Sequence, residues 1–188
     1  KRGTANKIVH KDIDQVHIAL ATPIGAAHDR STKAIELFAY MIDGGMSFPL
    51  FQELRDKRGL CYSIGAEIVP WTDRGLFSIS IGTDPKRWRE ALKAIFDVVQ
   101  RSKRDVDLFT KAKQVAVGRT SMRFNAPHSI LNSAAGDIVF HGRPHLAKEI
   151  IEEIESIEFS EVASATEKYL DLEDFVQVFE AGLQHAWL

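Results

Sequence analysis

The chain has 188 residues, of which 45% are hydrophobic and 27% charged, with 24 Lys and Arg against 26 Asp and Glu. That balance excludes disorder and the basic footprint of a nucleic-acid binder, and no apolar run approaches the roughly 20 residues that a membrane helix needs. The single cysteine, Cys61, excludes an internal disulfide framework and any multi-cysteine zinc site.

The start at Lys1 rather than Met, with no signal peptide apparent, predicts a soluble segment cut or processed from a longer protein. Residues 1–188 are read as one domain, a length ample for a real core. Lys1–Asp14 is polar and reads as an irregular lead-in. Gln15–Thr22 alternates Val16, Ile18 and Leu20 against His17, Ala19 and Ala21, a strand pattern stopped by Pro23 and Gly25. Ser31 is expected to cap a helix with Ile35, Leu37, Phe38 and Met41 as its apolar positions, ended by Gly44 and Gly45. Ser47–Arg58 reads as a short helix with Pro49 in its first turn and Phe51 and Leu54 as its buried stripe. Cations crowd its last turn, Glu53 and Lys57 pair at i,i+4, and Gly59 ends it.

Two strands follow, Cys61–Val69 and Leu76–Gly82, joined by a Pro70–Gly75 link with hairpin turn chemistry. Asp84 and Pro85 open a helix carrying Trp88, Leu92, Ile95 and Val99, and Asp105 opens the next. Asn125-Ala126-Pro127 interrupts that second helix. Further helices are predicted over Ser129–Phe140, over Ala147–Ile157, and from a Ser160 cap to about Leu170. Asp174–Glu180 is the closing strand. Strands and helices are segregated, so the fold class is α+β, an antiparallel or mixed sheet with helices packed on one face.

The informative stretch runs from Gly44 to Ser63: a glycine turn, a short helix with a cationic end, and a glycine exit into a strand. Reversal around Gly59 can set Arg55 and Tyr62 on one rim. A guanidinium with five donors beside a rigid phenol suits a row of peptide carbonyls, or an oxyanion forming on one of them. The bland alternative is a surface arginine and a half-buried strand tyrosine. For Gly44 and Gly45 the choice is between loop contacts to a ligand and a helix stop. For Cys61 it is a reactive thiol or a small buried hydrophobe. For His141 and His145 it is two metal ligands or exposed loop histidines.

The run Leu50-Phe51-Gln52-Glu53-Leu54-Arg55-Asp56-Lys57-Arg58-Gly59-Leu60-Cys61-Tyr62-Ser63, after its glycine turn, resembles the Arg/Tyr segment of the pitrilysin (insulinase) family of zinc metallopeptidases. The resemblance implies the C-terminal, so-called inactive domain, half of a clamshell that closes around an unfolded peptide. It implies that Arg55 holds a substrate carbonyl, that Tyr62 hydrogen-bonds the scissile carbonyl or its oxyanion, and that Gly44 and Gly45 offer loop contacts. Zinc is then expected on a partner domain or subunit, with no catalytic residue, metal or cofactor in this chain. The family's His-x-x-Glu-His is absent, and His141-Gly142-Arg143-Pro144-His145 lacks the Glu and cannot form a regular helix. The glycine run is two rather than three, and Pro49 sits where relatives carry a polar or basic residue. The rival expectations are a non-catalytic core or scaffold subunit, with Arg55 in a fixed salt bridge, and a stand-alone peptide-binding module.

Overall fold

A computed structural model describes residues 6–11, 13–171 and 175–182. Five strands, β1 (Asn6–Lys11), β2 (Val16–Ile24), β3 (Cys61–Pro70), β4 (Gly75–Thr83) and β5 (Val176–Gly182), form one sheet in the order β1-β5-β2-β4-β3. Neighbours are antiparallel except β1 and β5, so the sheet is mixed and the class is α+β. β3 is an edge strand.

Alternation sets the layers. On β2, Val16, Ile18, Leu20 and Ile24 are buried, and on β4, Phe77, Ile79 and Ile81 join them. Against this face lie α1 (Arg30–Asp43), bringing Ile35, Phe38, Met41 and Ile42, and α2 (Trp88–Ser102), bringing Ala91, Ile95 and Val99. Each fully buried aliphatic or aromatic side chain contributes about 1.5–3 kcal/mol of transfer free energy. The opposite face carries small and polar groups, among them His17, Ala19, Ser63, Gly65 and Ser80. The remaining helices are α3 (Val106–Arg123), α4 (Pro127–His141), α5 (Ala147–Ser156) and α6 (Phe159–Tyr169). No described helix is long and apolar enough to cross a membrane.

Several boundaries differ from the pattern-based expectation. The supposed lead-in contains β1, whose apolar core is only Ile8-Val9 and whose partner β5 lies at the other end of the sequence. α1 begins after Asp29, whose carboxylate accepts the Ala26 N–H at 2.9 Å, and Ser31 sits in its first turn. Asp84–Arg87 is a separate turn, closed by the Arg87 N–H onto the Asp84 carbonyl at 2.9 Å, so α2 starts only at Trp88. Pro127 opens α4 two residues before Ser129. α6 starts after Glu158 rather than at a Ser160 cap. β5 is shifted to Val176–Gly182, and Asp174 lies outside the described residues.

Candidate functional site

The segment Gly44–Ser63 is built on three buried leucines. Leu50, Leu54 and Leu60 are each at most 2% exposed, while Phe51, placed by pattern on the same stripe, is only half-buried. Between them the helix Phe51–Lys57 is wound as a π-helix, a wider turn than the α-helix the spacing predicts. It is released at Gly59, which takes φ +54, a left-handed conformation that suits glycine. The Leu60 N–H donates to the Leu54 carbonyl at 2.7 Å, and the buried Thr83 hydroxyl of β4 donates to the Leu60 carbonyl at 2.7 Å. Arg87 donates to the carbonyls of Gly59 and Arg58 at 3.3 and 3.2 Å, covering the helix's negative end. The exit into β3 is thus held from two sides.

β3 then carries a bulge. Cys61 pairs with Thr83 and Ser63 with Gly82, which leaves Tyr62 as the extra residue. A bulge re-aims the side chain it inserts. Tyr62 is 77% exposed. The Arg55 guanidinium lies 5.1 Å from the centre of the Tyr62 ring and 5.0 Å from that of Phe51. Arg55 and Phe51 are four apart in sequence, a spacing that shares a helix face. The two sequence candidates are therefore brought together, with Phe51 as an unforeseen third member. Stacking of this kind is worth about 0.5–1 kcal/mol at an exposed site and holds the fork in one orientation.

The other cations of the segment are already engaged. Glu53, its side chain 13% exposed, meets Lys57 at 2.6 Å, Arg101 at 3.3 Å and Arg58 at 3.7 Å. The Lys57 hydrogen bond, with Arg101 beside it, holds the Glu53 carboxyl below its usual range. Arg55 has no carboxylate partner among the described residues. Arg55 is exposed, so its donors are open to an acceptor on a bound molecule.

Gly44 and Gly45 have structural work at the end of α1. A Cβ on Gly44 would come within 2.5 Å of the Phe48 ring, and Gly45 takes φ +133. The loop's carbonyls are bound by side chains of the same chain: Gly44 by Arg119 at 2.8 Å, Met46 by Gln52 at 2.7 Å, Ser47 by Lys111 at 2.7 Å. Cys61 is half-buried, and burial raises its thiol above the usual range while Arg55 pulls it down. A thiol so placed is a poor nucleophile.

The described residues do not fit a zinc site. Among the described residues no three His, Cys, Asp or Glu side chains gather to hold a metal. His145 Nδ1 lies 3.5 Å from Asp137. The side chain of His141 lies outside the described residues.

Comparison with known proteins agrees with this architecture. Residues 1–115 match the family model described as the peptidase M16 inactive domain. An uncharacterised zinc protease of Streptomyces coelicolor is 34% identical over 91 residues, 48% of this chain and 20% of that protein. An uncharacterised zinc protease of Bacillus subtilis is 24% identical over 156 residues, 81% of this chain and 38% of that protein. The chain thus spans well under half the length of these relatives. Among solved structures, the peptidase M16 inactive domain from Pseudomonas fluorescens superposes with a TM-score of 0.80 at 22% identity, over 96% of this chain and 44% of that one. A protease from Helicobacter pylori superposes at 0.83 with 16% identity and the same coverage. At those identities the likeness is one of fold.

Proposed function

The chain belongs to the peptidase M16 inactive-domain family, and from that premise we propose that it is the substrate-binding half of a zinc metalloendopeptidase, with Arg55 and Tyr62 as its grip on the peptide. Residues 1–188 act as one domain of a longer assembly whose other domain or subunit carries the zinc. Arg55 donates to a backbone carbonyl of an extended, unfolded peptide. The Tyr62 hydroxyl donates to the scissile carbonyl or to the oxyanion that forms on it. Gly44 and Gly45 offer loop contacts, and the outer edge of β3 lets the peptide add as a further strand.

One observation carries this reading. Arg55 is the guanidinium of its segment that no carboxylate among the described residues neutralises, and it stacks on a phenol that a bulge turns out of the sheet. A scaffold subunit would have its arginine fixed in a salt bridge, as the three cations around Glu53 are. Backbone carbonyls are the target such a pair recognises without sequence preference, since each carbonyl offers the same acceptor geometry. The test is peptide cleavage by the full assembly carrying Arg55→Ala or Tyr62→Phe, with zinc content measured beside it. The reading expects cleavage to fall and zinc to stay. Unimpaired cleavage in both variants returns the chain to a scaffold role.

A further inference from the structure

β3 is an edge strand, and its register with β4 is regular from Ser63 to Pro70. In an antiparallel ladder, alternate residues turn their main-chain groups toward the neighbour and away from it. Ala66 turns away from β4, because its N–H donates to a side chain outside the sheet. Ile64 and Ile68, two residues to either side, share that outward edge. The acceptor of the Ala66 N–H is the Asp43 carboxylate, at 2.9 Å. Asp43 is the last residue of α1, next to the glycine turn.

This contact places a carboxylate oxygen where the carbonyl of an added strand would sit. Arg119 reinforces the placement by donating to the Gly44 carbonyl at 2.8 Å. Burial raises the Asp43 carboxyl above its usual range, and the Ala66 N–H and Arg119 oppose the shift. Beyond Asp43 the same edge continues past Ile68 and Pro70 along a cavity of about 830 Å³, which Tyr40 and Arg119 also line.

Resting on the peptide-grip reading, we propose that Asp43 is a built-in competitor for the β3 edge, which confines a docked peptide to the stretch from Tyr62 to Ile64 unless the peptide displaces it. From Tyr62 to Ala66 the strand rises about 13 Å, room for roughly four peptide residues. A short extended peptide meets Arg55, Tyr62 and the edge at Ile64 without reaching Asp43. A longer one must take the Ala66 N–H from Asp43 to continue into the cavity. Asp43 is therefore a positioning residue that sets how far along the edge a peptide pairs.

The test is calorimetric titration of this chain, whose sheet and core lie within its own sequence, with end-blocked, unstructured Ala/Ser peptides of about four and about ten residues. Asp43→Ala is expected to tighten the longer peptide by about threefold to tenfold, the net worth of one hydrogen bond, and to leave the shorter unchanged. Asp43→Asn keeps an oxygen acceptor and is expected to bind both as wild type does. Amide exchange on the wild-type chain gives a check that needs no variant: the Ile64 N–H is expected to gain protection when either peptide binds. If Asp43→Ala leaves the longer peptide unchanged while Arg55→Ala still abolishes binding, or if Ile64 gains no protection, the competitor role is overturned and the Arg55 grip survives. If no form of the chain binds either peptide, Asp43→Ala included, the competitor role and the grip fall together.

Discussion

Two sides of one short helix use the same residue type in opposite ways. On one side Glu53 gathers Lys57, Arg58 and Arg101, and a single largely covered carboxylate offsets three cations. On the other, Arg55 has two aromatic rings and, among the described residues, no carboxylate. The first arrangement ties the helix to α2 and is finished within the chain. The second is unfinished: an exposed charged fork set against two π-faces. Charge alone does not mark a binding residue here, since Lys57, Arg58 and Arg101 are cations of the same helix surroundings and all meet Glu53. Arg55 differs from these three in having, among the described residues, aromatic rings in place of a carboxylate.

The contrast can be broken from the Arg55 side with the largest effect. Arg55→Lys keeps the charge and loses the planar fork, so cleavage by the full assembly is expected to fall nearly as far as with Arg55→Ala, about a hundredfold or more, with the melting temperature unmoved. Kinetics and thermal denaturation of the same sample check both halves of that statement. Gly44→Ala strikes the frame beneath. The new methyl group meets the Phe48 ring at 2.5 Å, and overpacking of this kind costs about 1–3 kcal/mol, readable as a lower denaturation midpoint. Glu53→Gln sharpens the comparison from the other side. It is expected to lower stability by on the order of 1 kcal/mol, releasing three cations, while peptide cleavage persists.

The smallest effect is a pH dependence far from the site. Arg30 binds Glu161 through Nε at 2.7 Å and Nη2 at 2.9 Å, and also holds the Ser156 carbonyl at 2.8 Å, joining α1 to the end of α5 and to α6. The Arg30 hydrogen bond holds the Glu161 carboxyl down at about 2. The folded value lies below the unfolded one, so the contribution is full above the ordinary carboxylate range and is lost as pH falls toward about 2. The pair is well exposed, and solvent screening keeps its worth under about 1 kcal/mol. Denaturation midpoints of wild type and Glu161→Gln, compared between neutral pH and about pH 2, are expected to differ at the high end and converge at the low end.

The parts of the fold legible in the sequence are those with local causes. The β3–β4 hairpin follows from two alternating runs around turn residues, and the start of α3 follows from Asp105. β1 was not legible, because a strand with two apolar residues acquires its identity from β5, more than 160 residues away. The π-helix was hidden for a related reason: Phe51 and Leu54 satisfy an α-helical reading, and the Thr83 and Arg87 contacts that hold its end come from distant segments. At the site, the nearness of Arg55 and Tyr62 was foreseeable from the reversal at Gly59. The bulge that turns Tyr62 outward was not, since it depends on a register slip against β4. Phe51 had a signal, its i,i+4 spacing to Arg55, that core-stripe reasoning assigned to packing. Asp43 had none, because its partner is a main-chain N–H on a strand 23 residues further on.

The central claim is that Arg55 and Tyr62 act together on one peptide backbone, and a double-mutant cycle on cleavage rates tests it most directly. The full assembly is assayed as wild type, Arg55→Ala, Tyr62→Phe and the double variant, at matched zinc occupancy. Each single change is expected to slow cleavage about 10²-fold or more, and the double variant to lose far less than the product of the two, because groups serving one bound peptide are not independent. Rates in both single variants equal to wild type would contradict the account.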